Sequence, residues 1–118
     1  MAPDYISAEE WELTSFFEVV PKRPADEPWP YTEALFERSC GELELSCVIA
    51  PAYKELRIIV TLAGRRVYEL NALRVQDIRY VSEKSGEFLE IELSPKDTII
   101  MRVKPDLEIK QNLLESQD

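Results

Sequence analysis

Leu56, Ile58, Val60 and Leu62 fall on one side of an extended chain while Arg57, Ile59 and Thr61 fall on the other, and the run stops at Ala63-Gly64-Arg65-Arg66. Side chains alternate between the faces of a strand, so this stretch has one wholly apolar face and one mixed face. β-branched residues dominate it and a glycine supplies the turn. The pattern predicts a central strand entering a hairpin, and it commits the surrounding chain, from Leu43 to Lys104, to antiparallel sheet. A three-residue loop Ala63-Gly64-Arg65 pairs Val60 with Tyr68 and Ile58 with Leu70, which keeps apolar partners together.

The flanking segments continue the alternation. Ala34, Phe36 and Arg38 alternate with Leu35 and Glu37, and Leu43, Leu45, Cys47 and Ile49 alternate with Glu44, Ser46 and Val48. A turn at Cys40-Gly41 sets Leu45 opposite Phe36 and Cys47 opposite Ala34, a register that keeps Cys40 and Cys47 apart as free thiols. Leu73, Val75, Ile78 and Tyr80 slip in phase at Gln76-Asp77, which predicts a β-bulge or a helical turn there. Ser82 to Gly86 reads as a polar turn. Leu89, Ile91 and Leu93 align with Ile99, Met101 and Val103 across a five-residue loop, with Glu90 opposite Arg102. Leu107 and Ile109 suit a short edge strand.

Before the strands, Ser7-Ala8-Glu9-Glu10 has the form of a capping box, so a short helix is expected from there, with Trp11, Thr14, Ser15 and Phe17 along one side. It must end before Pro21. Pro21, Pro24, Pro28 and Pro30 make the next stretch an extended, polyproline-like wrapping segment. The chain of 118 residues is long enough for one core. The expected fold is a single α+β domain. Residues 1–31 form the helix and Pro-rich segment, packed over a curved antiparallel β-meander of about six strands in residues 32–110, and residues 111–118 form a frayed tail.

Net charge is −9, and it is concentrated in the N-terminal half: residues 1–50 hold eleven acids against three bases, a net of −8, and the remainder carries −1. Such a field opposes nucleic acid and anionic membranes and favours a basic partner. No apolar run is long enough to span a bilayer, and Met1 to Tyr5 lacks a basic leader, so a cytoplasmic protein is expected. The absence of histidine removes the commonest general base and the usual Ser and Cys triads, and leaves Cys40 and Cys47 without partners for a zinc site. Gly41, Gly64 and Gly86 stand alone at turns, so neither a phosphate loop nor a dinucleotide fingerprint is present. No cofactor, metal or catalytic residue is therefore expected. Glu42 with Glu44 and Glu90 with Glu92 are spaced as any solvated strand face is. Arg65-Arg66, with Arg57, Arg74 and Arg79, is the basic concentration, and these arginines are expected to pair with local acids.

What remains is surface. Trp29 and Tyr31 sit in a rigid, acidic stretch, and with Asp26, Glu27, Glu33 and Glu37 they form a candidate partner-binding patch, because rigid aromatics offer contact area at low entropic cost. The alternative for Trp29 and Tyr31 is to fold back and plug one end of the sheet. The functional expectation is a small, acidic, non-enzymatic protein that engages a basic protein partner, as a toxin-neutralising immunity protein or an inhibitor does. A second reading is a structural module that self-associates as a homodimer through an edge strand or through the outer Ile59 and Ile100. A third, a carboxylate-based enzyme or small-ligand carrier, requires a concave pocket with buried acids.

Overall fold

The computed structural model describes residues 5–113. They form one helix, α1 (Glu10–Phe17), a 3-10 turn (Trp29–Tyr31) and eight strands. The strands are β1 (Ala34–Cys40), β2 (Leu43–Ala50), β3 (Glu55–Leu62), β4 (Arg65–Ala72), β5 (Asp77–Glu83), β6 (Gly86–Ser94), β7 (Asp97–Arg102) and β8 (Glu108–Leu113). They make two four-stranded antiparallel sheets, β1-β2-β3-β4 and β5-β6-β7-β8. Mostly antiparallel sheet with one helix agrees with the α+β expectation, but the single six-strand meander is corrected. At Gln76-Asp77 there is neither a bulge within one sheet nor a helical turn. The chain leaves the first sheet after Ala72 and opens the second at Asp77, so the slip in phase marks the change of sheet.

Each sheet has one apolar face, and the two faces share one cluster of buried residues. Phe36, Leu45, Cys47, Leu56, Ile58 and Val60 come from the first sheet, and Ile78, Leu89, Ile91, Ile99 and Met101 from the second. Leu13, Phe16 and Phe17 of α1 join them. The helix packs against β1, β5 and β6, and so against both sheets. Phe17 stacks on Phe36 of β1 at 4.9 Å between ring centroids, and Phe16 meets Tyr80 of β5 edge-on at 6.5 Å. The buried positions follow the i, i+3, i+4 spacing of one helix face. Trp11, expected beside Phe17, is instead 66% exposed.

The helix also starts two residues later than expected. Glu12 Oε1 accepts from the Glu9 amide at 2.9 Å, so the capping contact belongs to Glu9 and Glu12. Ser7 has a different task. Its amide and hydroxyl donate to Asp77 Oδ1 and Oδ2 at 2.7 and 2.5 Å, and the Ala8 amide donates to the Ile78 carbonyl at 2.8 Å. The buried Asp77 carboxylate thus pins the chain before α1 to the free edge of β5.

Two hairpin registers differ from expectation, each by two residues. The first turn is Gly41–Glu42, with Cys40 opposite Leu43 and Phe36 opposite Cys47, two residues from the predicted pairing. A slip of two returns every side chain to the same face, so the buried set is unchanged. Cys40 and Cys47 are free, and burial pushes the Cys47 thiol well up. Between β3 and β4, Val60 does pair with Tyr68 and Ile58 with Leu70, but through a two-residue turn and a bulge after Val60. Ala63 and Gly64 both take positive φ, 51° and 78°, the hand that suits a tight hairpin. In the second sheet Leu89 pairs with Met101, and Glu90 lies opposite Ile100 rather than Arg102. Its carboxylate binds Arg79 at 2.5 Å. β8 continues past Gln111, where the frayed tail was placed, to Leu113; the rest of that tail, residues 114–118, and residues 1–4 lie outside the described residues.

The end of α1 ties the sheets together. Glu18 takes the left-handed conformation that terminates the helix. Arg38 of β1 donates to the Phe17 carbonyl at 3.0 Å and to Glu18 Oε1 at 2.9 Å, and Lys104 donates to Glu18 Oε2 at 3.1 Å. Lys104 also lies 3.3 Å from Glu87 of β6. Lys104 first, and then Arg38, holds the Glu18 carboxyl below its ordinary pKa. Because the folded value is depressed, this contribution to stability is present above the usual carboxylate pKa and is lost as pH falls through the folded value. Urea titrations of wild type and Glu18→Gln are therefore expected to differ most near neutral pH and to converge in acid; a difference independent of pH would contradict this role. Phe36→Ala is expected to cost about 3–5 kcal/mol in the same measurement, since it opens a cavity under the Phe17 ring.

Candidate functional site: an acidic depression at the end of the first sheet

The segment between α1 and β1 is held from two sides. The Arg23 guanidinium meets both oxygens of Glu10 on α1 at 2.6 and 2.9 Å and donates to the Glu27 and Pro24 carbonyls at 2.6 and 3.1 Å. Lys22 forms a backbone bridge with Leu35 of β1. Further on, the Pro30 carbonyl accepts from the Ala52 amide at 2.8 Å, which joins the 3-10 turn to the loop between β2 and β3.

Proline supplies the turn. Pro28 is the residue before the turn, and Pro30, its second residue, has no amide to leave unsatisfied. In a 3-10 helix residues three apart eclipse, so residues two apart diverge widely. Trp29 therefore turns in and packs against the core, with its indole Nε1 buried and unpartnered, while Tyr31 turns out and is 69% exposed. The two aromatics take opposite fates, so neither the recognition patch nor the plug describes both.

Glu27, Tyr31, Thr32 and Glu33 then face Ala50, Tyr53 and Glu55 across a depression of about 300 Å³. Tyr53 is 70% exposed. Through Glu33, Ala50 and Glu55 the depression continues into a shallow groove that includes Arg57 on β3, Asn71 and Ala72 on β4, and Leu73, itself 71% exposed. Three carboxylates and two phenol rings thus line one concave surface. Carboxylates attract a cation, and exposed ring faces add to that attraction when a cation lies over them. Arg57, the basic side chain in the groove, is already engaged with Asn71 Oδ1 at 2.9 Å.

Of the residues proposed from sequence, Glu27, Tyr31 and Glu33 are brought together here. Asp26 is exposed on the preceding turn and does not line the depression. Glu37 lies on the outer face of β1, where it pairs with Lys22 at 2.7 Å, away from the depression. Tyr53 and Glu55 were missed. Ala50-Pro51-Ala52-Tyr53 reads as a plain connection, and its signal was an aromatic followed closely by an acid in a Pro-bounded loop.

Other groups with chemical potential are committed elsewhere. Glu90 and Glu92 both bind Arg79, at 2.5 and 3.3 Å, Glu44 accepts from Ser39, and Arg66 binds Glu69. Among the described residues no three His, Cys, Asp or Glu side chains are grouped to hold a metal ion. No helix of the described residues is long and apolar enough to cross a membrane. The placement of the aromatics has a direct check. Trp29→Ala is expected to destabilise the fold by about 2–4 kcal/mol in chemical denaturation, whereas Tyr31→Ala and Tyr53→Ala should each stay within about 0.5 kcal/mol. Equal losses at all three would contradict the geometry described.

No protein-family model matches this sequence, and no curated protein matches it. Among solved structures, its fold is similar to that of a chain in the contact-dependent growth inhibition toxin–immunity protein complex from Klebsiella pneumoniae 342, with a TM-score of 0.72 over 89% of this chain and 93% of that one, at 21% sequence identity.

Proposed function

We propose that this protein is a cytoplasmic, non-enzymatic binding protein of the immunity type, which neutralises a basic protein by covering it with the depression formed by Glu27, Tyr31, Glu33, Tyr53 and Glu55. The observation that carries the reading is the convergence of three carboxylates and two exposed tyrosines on one concave surface of a chain with net charge −9. Charge of one sign in a cleft raises the encounter rate with a partner of the other sign, and rigid aromatics at the contact supply area at low entropic cost. The fold likeness to a chain of a toxin–immunity complex supports a protein as the partner. A histidine-free sequence in which the strand pair Glu90 and Glu92 is tied to Arg79 supports binding over catalysis.

The test begins with capture of the partner from the native host at low salt, its identification by mass spectrometry, and calorimetry with the purified pair. Glu27→Gln/Glu33→Gln/Glu55→Gln is expected to weaken binding by about tenfold or more at low salt and to flatten its salt dependence, while Glu37→Gln leaves both nearly unchanged. An unaltered affinity and salt slope in the triple variant would overturn the assignment of the surface. A captured partner that is acidic would overturn the electrostatic basis of the proposal.

A further inference from the structure

The four outer edges of the two sheets are treated unequally by the chain. The edge of β1 is bridged by Lys22, whose amide and carbonyl pair with Leu35 at 2.8 and 3.0 Å. The edge of β5 receives the Ala8 amide at 2.8 Å. Among the described residues no segment pairs with the edge of β4 that faces away from β3, nor with the outer edge of β8.

β4 and β8 differ in what they present. The inward row of β4, Tyr68, Leu70 and Ala72, stands opposite Val60, Ile58 and Leu56 and packs against the core, yet all three are only half-buried, while their partners on β3 are buried. On β1, the inward Ala34 and Phe36 are fully buried. The apolar face of the first sheet therefore reaches its last strand with only partial cover. On β8 the corresponding row is broken by Gln111, opposite Ile99. The far end of β4 also borders the proposed binding surface, since Asn71, Ala72 and Leu73 share a groove with Glu33 and Glu55.

We infer that β4 receives an extended strand of the protein partner as a fifth strand of the first sheet, with alternate apolar side chains of that strand covering Tyr68, Leu70 and Ala72. Main-chain hydrogen bonds supply affinity in such strand addition, and the alternating side chains supply specificity. A strand that follows β4 to Ala72 arrives at the end of the groove that also holds Glu55 and Glu33, so a basic extension of that strand has carboxylates to run toward. A second copy of this chain suits the edge less well, because each copy brings a net charge of −9. The inference rests on the proposed function only for the identity of the partner.

The test uses the full chain and synthetic peptides in which valine alternates with lysine over the length of β4, with amide hydrogen exchange followed by NMR. Alternate amides between Arg66 and Ala72 are expected to slow by about tenfold or more at saturating peptide. Two further peptides of the same charge carry N-methyl groups on every valine or on every lysine. Only one set of amides faces the edge of β4, so one of these peptides should bind and the other should not. Equal binding by both would overturn the inference, as would protection confined to β8 or to the Tyr31–Tyr53 depression. Amides of β4 already slow in a free protein that light scattering shows to be dimeric would assign the edge to a second copy, and so would also overturn it. An uncharged valine–threonine peptide separates this inference from the charge reading. It should bind wild type and Glu33→Gln/Glu55→Gln alike, so that failure of electrostatic attraction and failure of strand addition give different results.

Discussion

A sheet with one apolar face cannot stand alone in water, and here two such sheets solve the problem by burying their faces together. Hydrophobic burial is the largest favourable term in folding, and it scales with the area removed from water. The first sheet offers Leu45, Ile58 and Val60 and the second Ile78, Ile91 and Ile99, and neither set has another place to go. The pair of phenylalanines at the end of α1 completes the arrangement, one ring on β1 and the other against β5.

The polar contacts follow from that packing. Once the sheets are apposed, the chain before α1 lies along β5, where Asp77 anchors Ser7, and the chain after α1 lies along β1, where Lys22 pairs with Leu35. Arg23 fastens the proline-containing stretch to the helix. These restraints, more than any preference of the acidic residues themselves, bring Glu27, Tyr31 and Glu33 to the loop that carries Tyr53 and to Glu55 at the start of β3. The surface is thus built by short-range clamps on a segment with almost no regular structure. The same clamps occupy the edges of β1 and β5, while among the described residues nothing pairs with the outer edge of β4.

Much of the sheet was legible because alternation is a local property. The faces of β1, β2, β3, β6 and β7 were assigned correctly even where the hairpin register was off by two, since an even slip preserves each face. The helix start was misplaced because Ser7 has the chemistry of a cap, and only the distant Asp77, seventy residues away, draws it elsewhere. The change of sheet was visible as a lost phase at Gln76-Asp77, but a lost phase has the same appearance for a bulge, a turn or a corner. For the site, composition located the acidic, aromatic stretch but could not separate Trp29 from Tyr31. Tyr53 and Glu55 lie some twenty residues from that stretch, beyond the reach of any local pattern.

By itself the sequence determined which residues are apolar at strand spacing, that acidity gathers before residue 51, and that histidine chemistry is impossible. Those are properties of residue type and order. Tertiary structure decided that the strands divide into two sheets, that Trp29 is inside and Tyr31 outside, and that Glu27, Glu33 and Glu55 share one concavity. These outcomes depend on which faces find each other, and the physical reason is that burial and hydrogen bonding act between segments far apart in the chain.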